Sequence, residues 1–225
     1  MRRIIVVALS AALLTTTAWV VHGAADGSAT GSTHTAGATA PSAAKTGVPT
    51  DERALEHGLR IAKPDSLASH LARARLATAK YATSLPAAKA DGYQIITRMI
   101  PDMGWHFLNP AIQGFDVTKP AILVYERHRR RWQLAALEWV FPQQPEVPLL
   151  PGATYGSIGA ACHYRDGTFV FARVQELCAK RSPETGAPFN FWHPDLVTLH
   201  VWLWYPNPDG LYNGTNPYVR PFNQG

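Results

Sequence analysis

From Leu196 to Tyr205 large apolar side chains alternate without a polar face. Leu196, Thr198, His200, Trp202 and Trp204 share one side, and Val197, Leu199, Val201, Leu203 and Tyr205 share the other. Period-two alternation with both sides largely apolar predicts a central strand covered on both faces. Pro194 and Pro206 bracket it. The same spacing marks strands over Tyr93–Ile100, from Trp105 onward, and over a hairpin formed by Ala121–His128 and Arg131–Phe141. A further hairpin over Ala160–Arg173 turns on Asp166-Gly167. Ahead of these strands the period changes. Residues 51–62 and 65–81 are rich in Ala, Leu and Arg, and Leu67, Leu71, Ala74 and Tyr81 fall on one helical face, interrupted by Thr78. Asp65 or Ser66 can cap the second helix. Ser84 can cap a short third one through Pro86–Asp91, which Gly92 ends. Helices first and strands after predict an α+β domain, with N-terminal helices packed beside an antiparallel sheet or partly closed β-barrel.

The start of the chain has a different texture. Arg2 and Arg3 precede an apolar run over Ile4–Val21, and small residues follow at Gly23–Ala25, the pattern of a cleaved signal peptide over residues 1–25. A retained membrane anchor is the alternative, since about 18 apolar residues approach spanning length. Residues 26–50 are mostly Ala, Gly, Ser and Thr, too poor in large apolar groups to offset ordering entropy, and are predicted to be a disordered tether. The domain is then 51–225, helical over 51–92 and β-rich over 93–225, in an exported protein of the bacterial cell envelope or exterior. The formal charge of +5 counts Arg2 and Arg3; without them 19 basic residues face 16 acids, leaving +3. The one basic cluster, Arg127–Arg131, lies between two apolar runs and fits a solvated hairpin turn, so nucleic acid is not an expected partner. The two cysteines, Cys162 and Cys178, are expected to form a disulfide in an oxidising compartment, contributing about 3 kcal/mol.

Candidate chemistry comes from polar residues placed where apolar ones are expected. On the strand Arg131–Phe141, strict alternation groups Glu138 with Trp132, Leu134, Ala136 and Val140, making it an acid within an apolar run. His200 breaks its strand in the same way. His106 is wrapped by aromatics in Gly104-Trp-His-Phe, and His193 lies in Phe191-Trp-His-Pro. Together His106, Glu138, His200 and His193 could bind a divalent transition metal (zinc, copper, iron or manganese) with a position left for water or substrate. Each could instead be a hydrogen-bonded core residue, with Glu138 paired to Arg98 or Arg173. There is no His-x-His, no His-Glu-x-x-His, no nucleophile elbow and no glycine-rich phosphate loop. A second reading is a metal-free binding module, in which Trp105, Trp192, Trp202 and Trp204 form an aromatic groove for a small apolar or sugar-like ligand, with Asn207 and Asp209 as polar anchors. A third is a structural envelope protein.

Several of these stretches occur together. Met103-Gly-Trp-His-Phe-Leu-Asn-Pro, Ile122-Leu-Val-Tyr-Glu, Leu137-Glu-Trp-Val-Phe-Pro and Leu199-His-Val-Trp-Leu-Trp-Tyr-Pro-Asn-Pro-Asp-Gly-Leu-Tyr resemble, in that order, an uncharacterised family of exported bacterial proteins. The resemblance covers residues 90–220. It implies one folding unit there and assigns no activity, cofactor or residue role.

Overall fold

A computed structural model describes residues 65–222 of the chain. The proposed signal peptide, the tether and the first expected helix at 51–62 lie outside the described residues. Helix α1 (Leu67–Thr78) begins where Ser66 accepts a hydrogen bond from the Ser69 backbone N–H at 3.2 Å, and a 3₁₀ turn (Ala79–Tyr81) extends it. Ser84 caps α2 (Leu85–Ala90) in the same manner, and Gly92 leaves that helix with φ +98°, a conformation that favours glycine. Among the described residues no helix is long and apolar enough to cross a membrane.

Among the described residues nine strands follow: β1 (Gln94–Ile100), β2 (Gly104–Leu108), β3 (Ile122–His128), β4 (Arg131–Phe141), β5 (Gly156–Ile158), β6 (Ala161–Tyr164), β7 (Phe169–Phe171), β8 (Phe189–His193) and β9 (Leu196–Val201). Six form a curled antiparallel sheet in the order β1-β2-β3-β4-β9-β5, and three form a smaller sheet in the order β7-β6-β8. The protein is therefore mostly β with a few helices, broadly an α+β architecture. As expected, β9 is internal, between β4 and β5, with Leu199, His200 and Val201 all buried. It ends at Val201, earlier than the alternation predicts. The chain turns away there: the Trp202 N–H donates to the Leu211 carbonyl, and the Trp204 and Tyr205 N–H groups both donate to the Ala135 carbonyl.

That carbonyl is available because β4 carries a bulge. Val124 pairs with Ala136 but Tyr125 pairs with Leu134, so Ala135 is the extra residue. The bulge corrects the strict alternation. Leu134 lies with Leu137, Trp139 and Phe141 in the core under the helices, not on the side of Glu138. This core takes Leu67, Leu71, Ala74 and Tyr81 from the helical segment. Thr78, the polar interruption, is satisfied there: its hydroxyl donates to the Ala74 carbonyl at 2.8 Å and accepts from Trp204 Nε1 at 3.0 Å. The opposite side of the large sheet carries Thr97, His106, Ile122, Glu138, Thr198 and His200, and part of it is covered by the small sheet. Ties between the sheets run from β1: the Arg98 N–H donates to the Gly167 carbonyl at 2.8 Å, and its guanidinium pairs with Asp166 at 2.6 Å. The disulfide Cys162–Cys178 anchors the segment after β7 onto β6.

Candidate functional site

A cavity of about 540 Å³ lies between the two sheets. Its walls are mainly aliphatic and aromatic: Ile96, Leu108, Ile122 and Val140 from the large sheet, Phe169 and Phe191 from the small one. Four titratable side chains also line it, His106, Glu138, His163 and His193. Strand register explains the placement. Glu138 on β4 is paired with Ile122 on β3 and with His200 on β9, while His106 on β2 faces Thr97 on β1.

The structure brings three of the expected residues together. His106 Nε2 stands 3.8 Å from Glu138 Oε2, and the His106 and His200 rings are 6.5 Å apart. His106 Nδ1 is hydrogen-bonded to Thr97 Oγ1 at 2.8 Å. Arg98 is engaged with Asp166 and Glu184, so it does not pair with Glu138. Burial pushes the Glu138 carboxyl up to about 8, opposed by a hydrogen bond from Thr198. Burial likewise pulls His106 down to about 4, partly offset by the Gly104 backbone. It pulls His200 down to about 3, with His106 adding to the effect. At neutral pH the acid and both imidazoles are thus held uncharged. Neither nitrogen of His200 has a hydrogen-bond partner, although the residue is only 3% exposed. Among the described residues no group of three or more His, Cys, Asp or Glu side chains is arranged to hold a metal ion.

His193, expected to join that set, is paired elsewhere. Its Nε2 stands 3.0 Å from Nε2 of His163, a residue not among the candidates read from the sequence. His163 is mid-strand in Ala161-Cys-His-Tyr164, fully covered, with its ring stacked on Phe191 at 4.7 Å. The signal was the one used for His200, a polar residue interrupting an apolar strand, but the strand is short and β8, which supplies its partner, carries no clean alternation.

The four tryptophans of the second reading do not share a groove. Trp105 packs edge-on against Trp132 beneath the helices, and Trp204 lies under Arg75 in the same core. Trp202 is buried in the second core cluster, its indole N–H donating to the Asn213 carbonyl. Trp192 is in the small sheet and donates to the Ala172 carbonyl. Asn207 donates to the Thr215 carbonyl and accepts from the Asp209 N–H, holding a loop rather than facing indole rings. The reason is that the Trp202-Leu-Trp204 stretch leaves the strand, so alternation no longer sets its faces. No family model, curated protein or solved structure matches the chain.

Proposed function

We propose that this is an exported binding protein whose inter-sheet cavity takes a small, uncharged, largely apolar molecule bearing one hydroxyl or carbonyl group. The observation that carries it is an apolar cavity of about 540 Å³ in which the polar groups are few and held neutral. Among the described residues no lysine or arginine lines the cavity, so none of them balances an anionic head. Glu138, kept protonated by burial, can donate to a carbonyl or hydroxyl oxygen. The disulfide and the signal-like start support an extracytoplasmic site of action. The divalent-metal reading of His106, Glu138 and His200 is the weaker one, because His106 and Glu138 line the cavity while His200 lies behind them, its ring 6.5 Å from that of His106.

The test is calorimetric titration of metal-free protein at pH 7 with matched alkyl phenols, alcohols, ketones and carboxylates. Binding of the neutral compounds, with the carboxylates at least about tenfold weaker, is the expected result. Saturation by none of the neutral compounds, or a preference for the carboxylate, would sink this reading.

A further inference from the structure

The hydrogen bonds around His163 and His193 fix where their protons are. His163 Nδ1 lies 2.8 Å from the Ile96 carbonyl oxygen, and His193 Nδ1 lies 2.6 Å from the Pro194 carbonyl oxygen. A carbonyl oxygen only accepts, so both Nδ1 atoms carry hydrogen. In the neutral rings each Nε2 is then a bare lone pair, yet the two Nε2 atoms face each other at 3.0 Å. Two lone pairs at that distance repel unless a positive centre lies between or beside them. Two nitrogens bound to one ion at ~2.0–2.1 Å stand about 2.9 Å apart at a right angle and about 3.3 Å apart at the tetrahedral angle. The observed separation falls within that interval. Metal-bound histidines characteristically donate their second nitrogen to a backbone carbonyl or carboxylate, which sets tautomer and ring orientation. Both rings do so here.

We propose that His163 Nε2 and His193 Nε2 bind one divalent transition-metal ion, zinc or copper(II), with its remaining positions open to the cavity. The two imidazoles supply two of its ligands, and water or a bound molecule supplies the rest. The competing occupant is a proton shared between the rings. Because both rings line the cavity, a bound ion gives the ligand's head group a Lewis-acidic partner. That last step rests on the cavity reading; metal binding itself does not.

The experiment uses the full chain, expressed with export and without a polyhistidine tag, stripped by chelation and titrated with zinc chloride and copper sulfate. One ion per chain is expected. His193→Ala, half-buried and thus the milder variant, should weaken binding by roughly two orders of magnitude while circular dichroism is unchanged. Pulsed electron paramagnetic resonance on the copper-loaded parent should show two imidazole couplings, a readout that stands even if His163→Ala and His193→Ala fail to fold. Zinc loading should shift the preference of the alkyl series toward carboxylates by at least about tenfold. Parent binding no tighter than His193→Ala, or fewer than two imidazole couplings, would overturn the site. So would nitrogen-15 resonances showing a proton shared between the two Nε2 atoms with zinc present. An unchanged head-group preference would overturn the open positions facing the cavity. Failure of the metal-free protein to bind the neutral ligands, when the same protein takes up zinc normally on titration, would count against the cavity reading alone.

Discussion

Single residues set the pH response. Glu138, at about 8 in the folded chain against an ordinary 4.5, holds a proton over an interval in which the unfolded chain has released it. Its contribution is present below about pH 4.5 and is lost as pH rises through 8. Glu126, a second buried acid with neither oxygen partnered, acts in the same sense. His106 and His200 act oppositely: depressed to about 4 and 3, they contribute above about pH 6.5, and that contribution is lost as pH falls through about 4 for His106 and about 3 for His200. Stability should therefore peak between about pH 4.5 and 6.5. Glu138→Gln should flatten the alkaline limb by on the order of a few kcal/mol, read from urea midpoints at pH 6 and pH 9. His200→Leu removes an imidazole with no partner and should raise stability by about 1–3 kcal/mol at pH 6. A loss there would mean that the ring is partnered when the protein is in solution.

At the scale of elements, two local devices hold the site. Gly104 opens β2 at φ +108°, and a Cβ built there would lie 2.6 Å from Glu126 Oε1 and 2.7 Å from the Tyr125 carbonyl oxygen. Gly104→Ala should lower stability by at least about 2 kcal/mol through strain and displaced backbone, and should disturb His106 two residues on. Thermal melts with ligand titration would show both effects, and an unchanged melting temperature would refute the argument. The Cys162–Cys178 bridge closes over β6, which carries His163, so reduction should cost about 3 kcal/mol. Much of this level was legible in sequence. The cap residues Ser66 and Ser84, the span of β4 and the Asp166-Gly167 hairpin follow from local chemistry that needs no tertiary context. Glu138 and His200 stood out because each interrupts a long apolar strand. The Ala135 bulge, the edge strand β5 and the pairing of His163 with His193 were hidden for a common reason: each is decided by a partner distant in sequence. Trp202 and Trp204 misled because a strand's end, set here by hydrogen bonds to Leu211 and Ala135, cannot be seen in an apolar run that continues past it.

For the molecule as a whole, the two sheets are tied on the β1 side and the cavity reaches the surface elsewhere. The Arg98 contacts with Asp166 and Gly167, and the His163 contact with the Ile96 carbonyl, hold β1 against the small sheet. Phe171 lines the cavity yet is 65% exposed, and a Cβ on Gly159 would lie 3.5 Å from its ring, so the β5–β6 connection and β7 meet at the mouth. Ile158 and Leu196, cross-strand partners on β5 and β9, line the cavity too. β5 is a short edge strand with Ile158 only half-buried, so added bulk at that position projects into the cavity without opening the helical core. Ile158→Trp should therefore weaken binding of a neutral alkyl phenol by at least about tenfold. It should move the melting temperature by no more than a few degrees, because the core formed by Leu137, Trp139 and Leu199 lies on the other side of the sheet. Leu76→Trp, at an 81% exposed position on α1, is the control and should leave affinity unchanged. Equal affinities in the two variants would place the ligand outside the cavity; selective loss in Ile158→Trp would place it between the sheets, beside Glu138 and the paired histidines.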